Sequence, residues 1–312
     1  VSAAMGFWAG LGAALLVAWP IFRILVQIKA QQVISRHLDL HQGKAGTPTM
    51  GGWIFVCAFV PVAAFLGVEP AVWVGFLAFA LLGFADDFVV PRLKPGSRGL
   101  EWKPKIAFQF LLAGLYAWMA GHFGPPFGPW DFGRLGLDVF FVLMFSNAYN
   151  FTDGLDGLAV SVGLFLFAGL AGICLATGIV SMVMPLAILA GAMLPFAYLN
   201  APKARLFMGD TGSMAVGALV GMTVSEVAAA SAWHPEALVA LAVVSFVMLA
   251  EIVPVPLQIL WVKRFGRRLF PMTPIHHAFE KAGWREVRIV AAFAGAQFLV
   301  SALAVFVAWR FR

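Results

Sequence analysis

Charge is the scarcest property of this chain. Asp, Glu, Lys and Arg make up 12% of its 312 residues, roughly half of the ~25% found in soluble domains. Together with 62% hydrophobic residues, that scarcity excludes an ordinary soluble domain. Cysteine is nearly missing too. Cys57 and Cys174 are the only two and both sit inside apolar runs, so neither a disulfide framework nor a thiolate zinc cluster is implied. Each thiol is expected to be a small buried hydrophobe. There is no internal repeat, and no strict polar–apolar alternation of the kind a membrane barrel strand requires. The net charge of +6 does not indicate nucleic acid, because the basic residues lie in short loops between apolar runs, where a membrane surface accounts for them.

What the chain has in quantity is apolar stretches of about 20 residues, the length at which a helix crosses the hydrocarbon core. Set against loop signals, they predict ten transmembrane helices near 4–28, 52–67, 70–88, 105–121, 136–151, 155–176, 182–199, 211–230, 237–262 and 288–309. Backbone inside a bilayer must satisfy its own hydrogen bonds, which leaves helices once barrels are set aside. The expected fold is all-α, one polytopic membrane domain over residues 1–312. The first run, Met5 to Ile28, is too long for a signal-peptide core and shows no clear cleavage site, so it is expected to remain as a span. Two prolines in "EIVPVPLQI", Glu251 to Ile259, predict a break in the ninth helix, since each removes a backbone donor.

Lysine and arginine assign the sides. Of 21 such residues, only Arg134, Arg310 and Arg312 fall on one face; the rest crowd the loops after the first, third, seventh and ninth spans. The crowded loops are therefore expected in the cytoplasm and both termini outside.

With that orientation the polar motifs gather on one face. Asp86 and Asp87 ("GFADDF") close the third span there; Asp153 and Asp156 ("NAYNFTDGLDGLAV", Asn147 to Val160) open the sixth; Asp210 ("FMGDTGS") opens the eighth. Lys44 with "GTPTMGG", Lys103, Lys105 and "PIHHAFEKAGW" occupy loops on the same side. A single Asp at a helix end is commonly just a cap. Five carboxylates at one membrane face repel one another and call for a cation. Oxygen ligands suit Mg²⁺, which binds through one or two carboxylates plus substrate phosphates, and nearby lysines supply point charges for phosphate. Asp153 and Asp156 are expected to share a helix face, with free N–H groups at the helix starts drawing an anion. Glu251, deep in the ninth span, is by default a functional or paired acid. Asp138 and Glu226 are expected near the outer surface with no special role. Phe207, on residue type alone, is a lipid-facing or core residue.

Taken together, "GTPTMGG", "FADDF", "NAYNFTDGLDGLA", "NAPKARLFMGDTGS" and "PIHHAFEKAGW" resemble the motifs of the polyprenyl-phosphate hexosamine-1-phosphate transferases, in that family's order and spacing, from about Gln31 to Arg288. The resemblance implies an enzyme of the bacterial cytoplasmic membrane, working on its inner face with Mg²⁺. It would transfer a phospho-sugar from a UDP-sugar to undecaprenyl phosphate and release UMP. The histidine loop points to the branch whose donor is UDP-N-acetylmuramoyl-pentapeptide and whose product is lipid I; the alternative donor is UDP-N-acetylglucosamine. Asp86, Asp87, Asp210 and His276 fall on the family's catalytic positions, and Asp210 on its metal ligand. Lys44, Lys105, Asn150, Asp153, Gly154, Leu155, Asp156, Asn200, Phe207 and His277 fall on its substrate surface, Phe207 stacking the uracil. The family's third consecutive histidine is replaced here by Ala278. Relatives often form homodimers. An ion-coupled transporter is the rival class, but transporters place their acids near the midplane, often between inverted repeats.

Overall fold

A computed structural model describes residues 2–28, 46–94, 96–97, 99–122, 131–230 and 235–310 of the chain. Every regular element among them is helical: α1 (Ala3–Gln27), α2 (Trp53–Phe65), α3 (Pro70–Phe84), α4 (Trp102–Met119), α5 (Phe132–Thr152), α6 (Leu158–Thr177), α7 (Val183–Asn200), α8 (Gly209–Ala230), α9 (Pro235–Val244), α10 (Phe246–Ile252), α11 (Pro254–Phe265), α12 (Ile275–Lys281) and α13 (Glu286–Arg310). Helix occupies each of the ten predicted stretches. Seven segments are long and apolar enough to cross a membrane by length and composition: Ala3–Gln27, Pro70–Leu93, Leu158–Thr177, Val180–Asn200, Gly209–Ala230, Phe246–Phe265 and Glu286–Arg310. The chain is thus a helical, polytopic membrane protein. The three predicted stretches outside that set have plain reasons: α2 is apolar but short, while α4 and α5 carry Lys105, Gln109, Arg134, Asp138, Asn147 and Asn150.

The architecture is built around α8. In its most apolar window 83% of residues are buried, against 17% in α1 and 22% in α13, which leaves those two to face lipid. Helices α3 and α5 pack along α8, α1 along α7, and α13 along α6. A helix enclosed on all sides needs small residues where backbones meet. A Cβ on Gly217 would lie 2.3 Å from the Phe145 carbonyl oxygen, and one on Gly221 would lie 2.5 Å from that of Phe141. These glycines are four residues apart, so they share one face of α8 and let α5 seat against it.

The predicted break of the ninth stretch is present between Ile252 and Pro254. A second break at Ser245 was not predicted. There the Val244 carbonyl accepts from Gln297 Nε2 of α13 at 3.0 Å. A side chain inserted into the backbone ladder is a recognised cause of such interruptions. Gln297 also donates to Ser301 Oγ, which in turn donates to the Phe165 carbonyl of α6.

Two expectations are overturned. Cys174 is buried as predicted, but Cys57 is exposed on the outer side of α2, so burial by a bundle cannot be read from an apolar run alone. Asp138 and Glu226 also need an account after all. Asp138 has no exposed surface. Its carboxylate meets His122 Nδ1 at 2.8 Å and accepts from Ser225 Oγ at 2.6 Å. Glu226 accepts from Arg134 at 2.8 Å and from the Tyr116 hydroxyl at 3.0 Å. This ionic cluster clamps α4, α5 and α8 together at the end of the bundle remote from Asp210. A buried carboxylate persists only with such partners.

Candidate functional site

The acidic pair stands on a distorted helix end. After Phe84, α3 widens into a π turn over Ala85–Val89 before helix resumes at Val90–Leu93. Adjacent residues on a regular α-helix diverge by about 100°; the widened turn inserts an extra residue, a device frequent at functional sites. Asp86 is buried, and its Oδ1 accepts from the Leu100 amide at 2.7 Å. Asp87 reaches across to α8: its Oδ2 accepts from both the amide and the hydroxyl of Thr211, each at 2.9 Å. A side chain distant in sequence thereby caps the first turn of α8, where Gly209 takes φ +73°.

Asp210 follows on that first turn. Its Oδ1 accepts from Asn150 Nδ2 at 2.7 Å, and Asn150 also donates to Ser213 Oγ at 2.9 Å. Its Oδ2 accepts from Lys105, which donates at 3.4 Å to Asp86 as well. Lys105 at the start of α4 thus bridges acids from α3 and α8, and Asn150 at the end of α5 completes the ring. Backbones are tight here too: a Cβ on Gly83 would lie 2.1 Å from the Asp210 carbonyl oxygen.

Asp153 joins the cluster from the segment after α5. Burial, then the charges of Asp210 and Asp87, hold its carboxyl well above the usual carboxylate range. The expectation that Asp153 and Asp156 open a helix and share its face is not met. Asp153 is the residue on which α5 ends, Asp156 lies in the following turn, and α6 begins only at Leu158. Two glycines, Gly154 and a left-handed Gly157 with φ +80°, favour a turn there over a helix start. Asp156 Oδ2 accepts from the Ala204 amide at 2.9 Å, and its own amide donates to Glu286 at 2.7 Å. Asn200 Oδ1 accepts from Gly157 N while its Nδ2 donates to the Leu206 carbonyl, both at 2.9 Å. Leu155 is buried beneath. Asp156, Asn200 and Leu155 therefore brace the turn that presents Asp153 and Gly154.

Gly154 abuts the histidine loop, since a Cβ there would lie 2.3 Å from His276 Nε2. His276 on α12 is fully buried, with Nδ1 2.8 Å from Glu251 Oε2. His277 Nδ1 pairs with Glu280 at 2.5 Å. Phe207 is half-buried, and its segment zips to the "GTPTMGG" loop: Phe207 N donates to the Pro48 carbonyl at 2.9 Å and Gly51 N to the Phe207 carbonyl at 2.8 Å. Lys44 lies outside the described residues.

Asp86, Asp87, Asp210, Lys105, Asn150 and Asp153 are thus brought together, with His276 joined to them through Gly154. Sequence reasoning missed Thr211 and Ser213, although both stand in the quoted "GDTGS". It also missed Thr49, whose buried hydroxyl has no hydrogen-bond partner, and Glu286, which no motif marked. The donor set is all oxygen and amide. Among the described residues no three His, Cys, Asp or Glu side chains close around one point. Such a set fits a hard divalent cation held by one or two carboxylates and completed by substrate phosphates, not a protein cage.

The chain has clear relatives among known proteins. A family model described as glycosyl transferase family 4 matches residues 70–228. A phospho-N-acetylmuramoyl-pentapeptide-transferase signature matches residues 44–56. The chain is 37% identical over 285 residues to a phospho-N-acetylmuramoyl-pentapeptide-transferase of Caldanaerobacter subterraneus subsp. tengcongensis, covering 86% of this chain and 85% of that protein. A protein of the same name from Clostridium novyi is 34% identical over 278 residues, covering 84% and 83%. One from Clostridium beijerinckii is 35% identical over 297 residues, covering 89% and 88%.

Proposed function

This chain belongs to the phospho-N-acetylmuramoyl-pentapeptide-transferase family, and we propose that its acidic cluster is where a UDP-linked donor meets a lipid-borne phosphate. It is a phospho-sugar transferase: phospho-N-acetylmuramoyl-pentapeptide passes from UDP to undecaprenyl phosphate, UMP leaves, and lipid I forms. The observation that carries the site assignment is the convergence of Asp86, from the turn after α3, and Asp210, from α8, on Lys105, with Asn150 holding Asp210 and Asp153 near enough to feel the charges of Asp210 and Asp87.

Asp210 is the residue we assign to Mg²⁺, which when bound supplies positive charge beside the donor's diphosphate. Asn150 holds Asp210 in place from one side and Lys105 from the other; Lys105 also offers a fixed positive charge to phosphate oxygens. Asp87, tied to Thr211, acts by fixing the turn that carries Asp210. Asp86 is left as the acid that orients the acceptor. The second pKa of a phosphate monoester is about 6, so the acceptor is mostly a dianion at neutral pH and needs no strong base. One of its oxygens bonds to the sugar-bearing phosphorus while that phosphorus releases UMP, in a single displacement.

An apolar groove of about 660 Å³ supports the lipid acceptor. It is lined by Ile106 and Phe110 of α4, Leu143 and Phe151 of α5, and Val255 and Pro256 of α11. Ile106 follows Lys105 and Phe151 follows Asn150, so one end of the groove borders the charged cluster. The basic loops beside the cluster support a cytoplasmic location for it, where a water-soluble UDP donor arrives. We count ten crossings with both termini outside, taking α2, α4 and α5 as spans alongside their neighbours.

The test supplies undecaprenyl phosphate and Mg²⁺ with either UDP-N-acetylmuramoyl-pentapeptide or UDP-N-acetylglucosamine and measures UMP. Release from the first donor alone is expected. Release from the second alone would move the chain to the other branch of the superfamily.

A further inference from the structure

Glu251 has no part in the mechanism above, yet it is a fully buried acid within a membrane-spanning segment. A carboxylate at such a position is costly and persists where a partner or a task retains it. Its partner is His276, held twice: Nδ1 stands 2.8 Å from Glu251 Oε2, and the histidine's own amide donates to Oε1 at 3.3 Å. The ring is bonded through Nδ1, while the amide bond anchors the same carboxylate from the backbone. The ring's bond also fixes its proton, because a carboxylate accepts and so retains hydrogen on Nδ1. The lone pair then belongs to Nε2.

A histidine kept only for structure would have both ring nitrogens satisfied. Nε2 of His276 is buried and has no hydrogen-bond partner. It points at the turn after α5, where Gly154 provides the room: a Cβ there would come within 2.3 Å of it. This turn also carries Asp153, which belongs to the acidic cluster.

We propose that Glu251 is a positioning residue that locks His276 as the Nδ1–H tautomer, aiming Nε2 past Gly154 to accept a hydrogen bond from a hydroxyl or amide group of the nucleotide-sugar donor. The inference rests on the donor-site reading given above. It also explains why an acid stands one turn before the proline break. The break at Val253 ends α10 and lets Glu251 close on α12, which is itself only seven residues long.

The test combines donor binding with a direct view of the ring. Calorimetry measures the affinity of the purified protein in detergent for UDP-N-acetylmuramoyl-pentapeptide. Selective ¹⁵N labelling of histidine, with His276→Ala to assign its signals, reports the tautomer. Wild type should show the Nδ1–H form at His276. Glu251→Gln should weaken donor binding by about tenfold, the worth of one hydrogen bond, and mix the tautomers without lowering the melting temperature. Glu251→Asp should restore part of the affinity. In a His276→Ala background, Glu251→Gln should add nothing further. An Nε2–H ring in wild type overturns the proposal even if the Glu251 variants do not fold. So does wild-type affinity in Glu251→Gln, or two losses that multiply. Absence of donor binding by wild type would instead refute the donor-site reading on which the inference stands.

Discussion

The contact between Gly154 and His276 allows a quantitative prediction for Gly154→Ala. A Cβ at residue 154 would sit 2.3 Å from Nε2 and 2.8 Å from Cε1, whereas ordinary contact begins at 3.4 Å. The ring must therefore retreat by about 1.1 Å, the difference between 3.4 and 2.3 Å. It has little room to retreat, being fully buried and bonded through Nδ1 to Glu251. Overpacking of this kind costs about 1–3 kcal/mol, and a displacement of about 1 Å at a reacting site lowers turnover by about 10²-fold. Gly154→Ala should thus remain folded, melt a few degrees lower, and release UMP about a hundredfold more slowly. The assay is initial-rate UMP release at donor well below KM, where a lost donor contact shows in full, with melting followed in the same detergent. Wild-type turnover would refute the geometry, because the added methyl group would then have found room that the structure denies it.

Asp210→Asn should abolish turnover while melting stays close to wild type; near-normal activity at saturating Mg²⁺ would sink the metal assignment. With a chiral phosphorus in the donor, single displacement predicts inverted lipid I, and retention would show a phospho-enzyme on one of the acids. The remote cluster predicts a pH effect. At His122 burial opposes the charged ring, but bonds to Asp138 and Glu226 outweigh it and also Arg134's repulsion, so its pKa is pushed up to about 9. A raised histidine stabilises the fold fully below its unfolded pKa of about 6.5. That stabilisation is lost as pH rises through about 9. Melting temperature should therefore fall between pH 7 and 10, and His122→Gln should flatten that fall; parallel curves for the two proteins would remove His122 as its source.

Much of the architecture was legible because the signal is chemical and repeated. Apolar length marks a span, and each predicted stretch does contain helix. The acids were legible for a similar reason: Asp86, Asp153 and Asp210 are costly in so apolar a chain, so their presence together carried information. What could not be read depends on three dimensions. Nothing in "GFADDF" announces a π turn, since the insertion is set by packing against α8. Asp153 and Asp156 were misread because spacing of three suits a helix and a turn equally, and Gly157 with a positive φ decided it. Asp138 reads from the sequence as needing no special account because, beyond Arg134 on its own helix, its partners His122 and Ser225 come from other stretches of chain. Glu286 bonds to an amide 130 positions away, and no local pattern encodes that.

The enclosure of α8 has a consequence for motion. Asp210 rides on the segment least able to shift, wedged by glycines against two neighbours, so adjustment to a large incoming nucleotide must come from the rim. The helical segment beyond the proline break, α11, is exposed over most of its length, and local opening is drawn from such weakly held parts. In its proposed role Asp210 then acts as the anvil: the substrate is pressed onto it by peripheral pieces that yield, while the anvil itself holds still.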